Sequence, residues 1–195
     1  MTAPTSFRPL RADARRNREC VVRAATECVA EAGMSAQMED VARRAGVGVG
    51  TVYRHFATKD DLLLAVARHK FDRFTELAER IERERPAGEA FERYVWALAD
   101  LQADDRVLCE IAGEMPATMV RRDPQMVEGL ERVVGRMIAH AQAAGTLRED
   151  FNVRDMPLLG CTISHAITMG PQVPGGDWRC LVTLLVDGLR PPAPR

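Results

Sequence analysis

From Gly48 to Lys59 the chain reads Gly-Val-Gly-Thr-Val-Tyr-Arg-His-Phe-Ala-Thr-Lys. Thr51, Tyr53, Arg54 and His55 place a hydroxyl, a phenol, a guanidinium and an imidazole on one short stretch, and Lys59 adds an ammonium just past it. These groups donate hydrogen bonds to phosphate oxygens and to base edges. Gly48, Val49 and Gly50 lack bulky side chains, so the unpaired N–H groups of a helix starting there have an open approach to a phosphate. Gln37 is a further polar candidate on the preceding segment. Two blander readings stay open on the residues alone. Residues 46–50, GVGVG, look like a phosphate-cradling glycine loop, although no strand precedes them as a nucleotide-binding fold requires. Tyr53 and His55 also suit the solvent face of an ordinary helix pair.

The elements that must hold these side chains read as two short helices, about 37–44 and 48–55, parted by Gly46. Val41, Ala42 and Ala45 form a small apolar face on the first. Val52 and Phe56, four apart on the second, point inward together, and the small Ala42 and Gly46 permit a close crossing. One helix braces and the next presents its outer face, which is the logic of a helix-turn-helix. A helix from Asp13 to Ala32 precedes them, with Asp13 as N-cap, Gly33 at the C′ position, and Val21, Ala24, Ala25, Cys28 and Val29 on one face. Thr58 reads as the N-cap of a long helix to about Glu84, roughly 40 Å at 1.5 Å per residue. Five more helices are expected at about 87–102, 104–114, 124–144, 154–169 and 177–189, with Asp123 and Asp177 as caps and residues 170–176 as a loop. No run alternates as a strand does, so the fold class is all-α. Residues 1–13, with Pro4, Pro9, Arg8 and Arg11, are expected to form a flexible basic tail.

Composition narrows the function classes. The 195 residues hold 27 basic and 28 acidic side chains, but the near-balance conceals a basic head. Residues 1–59 carry 10 basic against 6 acidic groups, and residues 60–195 carry 17 against 22. A polyanion would meet the head and not the body. No apolar run approaches the roughly 18 residues of a membrane span, and no secretory leader is visible at the N-terminus. Cys20, Cys28, Cys109, Cys161 and Cys180 are odd in number and lack CxxC spacing, which reads as reduced thiols in a cytoplasmic protein.

The remainder carries weaker signals. Trp96, Met115, Met119, Met137 and Met169, with Cys161 and His165, are candidates for the wall of a ligand pocket, methionine being adaptable to varied apolar shapes. Each is also a candidate for plain core packing. Cys161 and His165 share a helix face at i, i+4, the spacing of a nucleophile pair or of two metal ligands. Leu158, Leu159, Thr162, Ile163, Ala166 and Ile167 form a stripe, and apolar residues from Trp178 to Leu189 wrap most of the last helix. Such helices bury more than one face.

The segment AGVGVGTVYRHFATKDDLL resembles the DNA-binding signature of the TetR/AcrR family of bacterial transcriptional regulators, and RECVVRAATECVAEAG and MEDVARRAG resemble that family's first two helices. The likeness covers about residues 14–74. It implies an N-terminal three-helix helix-turn-helix DNA-binding domain, with the motif at about 37–56, followed by a helical ligand-binding and dimerisation domain over 75–195. By that resemblance Thr51, Tyr53 and Lys59 hold DNA phosphates. Val49, Gly50, Arg54 and His55 face the groove, and Val52 and Phe56 form the core of the motif. It also implies a homodimer sealed by a two-fold four-helix interface, expected at Leu159, Ile163, Ile167, Leu181, Leu185 and Leu189. The implied partners are a double-stranded operator and an unidentified small-molecule effector, with no membrane, no cofactor, no metal and no enzymatic activity. The second helix departs from the pattern: Gln37, Met38 and Glu39 stand where family members often have a threonine and a basic residue, and Glu39 repels phosphate. Two alternatives follow from the residues, a helical enzyme using Cys161 and His165, and a ligand-binding module without DNA binding.

Overall fold

The computed structural model describes residues 8–105, 107, 109 and 123–192, and among these no residue is in a strand. The helices are α1 (Arg8–Ala32), α2 (Met38–Ala45), α3 (Val49–His55), α4 (Lys59–Glu84), α5 (Ala87–Asp104), α6 (Gln125–Ala143), α7 (Met156–Met169) and α8 (Trp178–Leu189). The chain divides into two compact units between Ala67 and Arg68, inside α4. The helix expected at 104–114, and with it Met115 and Met119, lies outside the described residues.

In the first unit α1 begins at Arg8, five residues ahead of the expected Asp13, so residues 8–12 are helical and not tail. Pro9 is compatible with this because a first-turn N–H has no intrahelical partner to lose. Val21, Ala24, Ala25, Cys28 and Val29 of α1 meet Val41 and Ala42 of α2 and Val52 and Phe56 beyond, all buried. The turn after α2 closes at Gly46, whose φ of 67° lies in the left-handed region that a side chain disfavours. The Val47 N–H reaches back to the Ala42 carbonyl at 3.0 Å and completes the cap. Thr58 caps α4 as expected. Its Oγ1 accepts from the Asp61 N–H at 3.1 Å, and Asp61 Oδ2 accepts from the Thr58 N–H at 3.1 Å.

In the second unit α5 packs on α6, α7 and α8. The core holds Phe91, Tyr94, Val95 and Leu98 of α5, Val134, Met137, Ile138 and Ala141 of α6, Leu159 and Ile163 of α7, and Val182 and Val186 of α8. Asp123 does not cap α6 with its side chain as expected. Its buried carboxylate instead accepts from Arg68, with Nε at 2.9 Å. Asp105, just past α5, lies between Lys70 Nζ at 2.8 Å and the Arg73 guanidinium. Two carboxylates on either side of residues 106–122 are thus gripped by cations of α4. A single 3-10 turn, residues 153–155, leads into α7, and Asp177 caps α8 by accepting from the Arg179 N–H at 2.9 Å. Gly176 closes the loop before α8, where a Cβ would sit 2.5 Å from the Gly170 carbonyl oxygen.

Candidate nucleic-acid interface

Helix α3 is seven residues long, and its four rows fall into three environments. Val52 and Phe56 are buried. Val49 and Tyr53 are 40% and 47% exposed, the two exposed large hydrophobic side chains of this helix. Gly50 and Arg54 are exposed beside them. Thr51 and His55 flank this face and are half-buried. The open face is therefore Val49, Gly50, Tyr53 and Arg54. His55 departs from the groove-facing expectation, because its Nε2 is turned inside with no hydrogen-bond partner among the described residues.

The start of α3 is as unencumbered as the glycines suggested. No atom lies within 4 Å of a Cβ placed at Gly48 or Gly50. The Thr51 N–H is already engaged by the Gly48 carbonyl at 2.8 Å, so the unengaged N–H groups of the turn are earlier than Thr51. Phe56 anchors the far end: buried itself, it carries the Arg18 guanidinium at 4.9 Å from its ring centroid. Lys59, half-buried, is the first residue of α4, and the Thr58–Asp61 cap fixes the turn from which it leaves.

Helix α2 braces rather than reaches. Gln37, exposed at its N-cap, donates from Nε2 to the Ser35 carbonyl at 2.6 Å. Glu39 and Asp40 occupy the first turn, and Arg43 and Arg44 the last, an arrangement that favours the helix dipole at both ends. That gives Glu39 a structural reason to be acidic. Arg44 grips Glu31 of α1 through two parallel bonds of 2.7 and 2.6 Å, and this holds the Glu31 carboxyl below the usual carboxylate range. Beneath it, burial pushes the Cys28 thiol up, consistent with a packing role. The basic charge of α2 is thus spent on tying α2 to α1 and to itself, with Arg43 on Asp40 at 2.5 Å.

The sequence matches the family of bacterial regulatory proteins, tetR family, over residues 21–66, the span of α1 to α4 just described. A second match, to the SbtR-like transcriptional regulator C-terminal domain, covers residues 86–191, more than half of the chain. The chain belongs to the TetR family. This TetR-family protein is 33% identical to a TetR regulatory protein of Mycobacterium vanbaalenii, whose crystal structure aligns over 93% of this chain and 99% of that one with a TM-score of 0.59. It is 27% identical to an HTH-type transcriptional regulator of Mycobacterium tuberculosis, over 92% of this chain and 99% of the relative. The regulator FadR of Bacillus subtilis, solved with stearoyl-CoA, is 22% identical over 87% of this chain and 95% of that one, with a TM-score of 0.66, a likeness of fold. The protein is therefore a DNA-binding transcriptional regulator with a helix-turn-helix, in a family of regulators rather than enzymes. Among the described residues no helix is long and apolar enough to cross a membrane.

In this regulator the described residues among those expected to line a pocket lie in different environments. Met137 is fully buried in the core, Trp96 lies at the edge of the core, and Cys161 is half-buried. His165 and Met169 are exposed on the outer side of α7. The expected dimer residues split as well. Leu159 and Ile163 are buried inside the protomer, and Ile167, Leu185 and Leu189 pack partly against the same core, with Leu181 half-buried. The most exposed apolar side chains of α7 and α8 are Leu158 at 73% and Leu184 at 68% exposure. Sequence reasoning missed Gln102, fully buried on α5, and the Lys70–Asp105–Arg73 cluster. Gln102 was discernible as a polar residue on an otherwise apolar row, eight after Tyr94 and four after Leu98.

Proposed function

We propose that this regulator is a ligand-responsive repressor that binds a palindromic operator as a homodimer and leaves it when a small molecule occupies the C-terminal unit. The observation that carries the DNA-reading half is the division of α3 into a sealed row, Val52 and Phe56, and an open face, Val49, Gly50, Tyr53 and Arg54, with Lys59 beside it. Two such helices, held about 34–36 Å apart, reach successive major grooves. Tyr53, Thr51 and Lys59 hold phosphates, and Val49, Gly50 and Arg54 face base edges. Gln37 lies at the margin, its amide already engaged with Ser35.

The homodimer is built on α7 and α8. Leu158, Thr162, His165 and Met169 form one exposed row on α7, and Leu184 extends it on α8. Half-buried Ile167, Leu181, Leu185 and Leu189 line the seam between that row and the protomer core. The effector acts on the second unit, and α4, which begins at Lys59 and ends at Glu84, carries the change to the DNA-binding unit. The stearoyl-CoA complex of FadR supports an apolar effector in a domain of this fold.

Fluorescence anisotropy with the DNA upstream of the protein's own gene tests the reading. Tyr53→Ala and Lys59→Ala are expected to weaken binding several-fold with helicity unchanged, and Lys59→Ala to lower the slope of log affinity against log salt by about 1. Unchanged affinity and slope in both variants would refute the interface.

A further inference from the structure

Gln102 stands in the last turn of α5, 1% exposed. Among the described residues three buried side-chain nitrogen or oxygen atoms lack a hydrogen-bond partner, and two of them are the Oε1 and Nε2 of this one amide. A primary amide offers two donors and two acceptor sites, and leaving both ends dry in a protein interior is costly and rare. A leucine or methionine would fill the same space without that cost. The surroundings on α5 are apolar. Leu98 lies one turn before Gln102 on the same row and Tyr94 two turns before, with Val95 and Ala99 alongside, all buried. Desolvation pushes the Tyr94 phenol pKa up. Three residues beyond Gln102, the Asp105 carboxylate is held by Lys70 and Arg73 of α4. A displacement of the last turn of α5 therefore pulls on α4 through charge-assisted bonds.

We propose that Gln102 is the polar anchor of an effector site inside the second unit, for a ligand with an apolar body and an uncharged head that both donates and accepts a hydrogen bond, such as a carboxamide or lactam. The inference rests on the reading of this unit as effector-binding. A carboxylate head fits poorly because it only accepts, leaving Oε1 without a donor and adding a charge to an apolar row. An ester or tertiary amide fails for the same want of a donor. The unpaired amide keeps the ligand-free state higher in free energy, and binding of the matching head relieves it, which favours the conformation in which the amide is buried and unpaired over any in which it is already satisfied.

Calorimetry on the full-length protein with octanamide, N,N-dimethyloctanamide and octanoate tests this, and anisotropy on the upstream DNA is run alongside. Octanamide is expected to bind at least about tenfold more tightly than the other two. Gln102→Met is expected to erase that difference and to raise the melting temperature of the ligand-free protein. Equal affinities, no octanamide binding, or a lower ligand-free melting temperature in Gln102→Met, as an internal water already satisfying the amide would produce, each overturn the anchor. Calorimetry does not depend on DNA. Loss of the anchor with intact DNA binding leaves the regulator reading standing, whereas octanamide binding without any DNA binding removes the repressor reading and keeps the anchor.

Discussion

Substituting Leu184 by Glu separates the proposed dimer interface from the protomer core. Leu184 is 68% exposed in the protomer, so about two thirds of its apolar surface is still available for burial by a second copy. Fully burying a leucine stabilises by about 1.5–3 kcal/mol, which leaves about 1–2 kcal/mol per side chain for association. A two-fold interface uses each residue twice, so the pair contributes about 2–4 kcal/mol. At a factor of ten per 1.4 kcal/mol, Leu184→Glu raises the dimer dissociation constant by about 30- to 700-fold, before any repulsion between the two carboxylates. Sedimentation velocity across a dilution series reads this directly. Leu185→Glu is the internal control. Its leucine packs partly against the protomer core, so the variant is expected to lose melting temperature and helicity as well as association. A dissociation constant for Leu184→Glu within a few-fold of wild type, or unfolding of that variant, would show that α8 is not the seam.

Further predictions concern the supports of the site. Glu82 accepts from Arg136 at 2.9 and 2.6 Å, which holds its pKa below the ordinary 4.5. A depressed folded-state pKa contributes stability that is present above the unfolded value and lost as pH falls through the folded one. Glu82→Gln is therefore expected to cost up to about 1 kcal/mol at neutral pH and nothing once the wild-type carboxyl is protonated, as read from urea unfolding at a series of pH values. Asp105→Ala leaves Lys70 buried without its carboxylate and is expected to cost about 3 kcal/mol in the same assay, with a smaller loss at Arg73→Ala because Arg73 is partly solvated. Gly46→Ala forces a side chain into φ 67°, at a cost of about 1–2 kcal/mol, and is expected to lower both the melting temperature and DNA affinity, since that turn sets α3 against α2.

The helix-turn-helix was legible because its determinants are local. Val52 and Phe56 at i, i+4, Gly46 after a short apolar face, and Thr58 three residues before Asp61 each specify a conformation with neighbours only a turn away. Those elements stand within a residue or two of their expected bounds. The start of α1 was misplaced because Pro9 reads as a breaker unless it lies in the first turn. Asp123 was misread for a different reason. An Asp-Pro pair is a capping signal, and nothing local indicates that Arg68, 55 positions away, takes the carboxylate.

Composition, spacing and the family signature were enough to determine an all-helical regulator with a basic head and the outward face of α3 proposed to meet DNA, because an amphipathic row defines its own inside. They could not rank the two edges of the α7 stripe. Leu158 and Leu159 are equally apolar neighbours, and only the packing of α7 on α5 and α8 turns Leu159 inward and leaves Leu158 open. The same holds for Leu184 and Leu185, and for Gln102, whose isolation arises from what surrounds it in space and not along the chain. Helical periodicity names the faces of a helix, but which face is covered depends on neighbours brought together by distant parts of the chain.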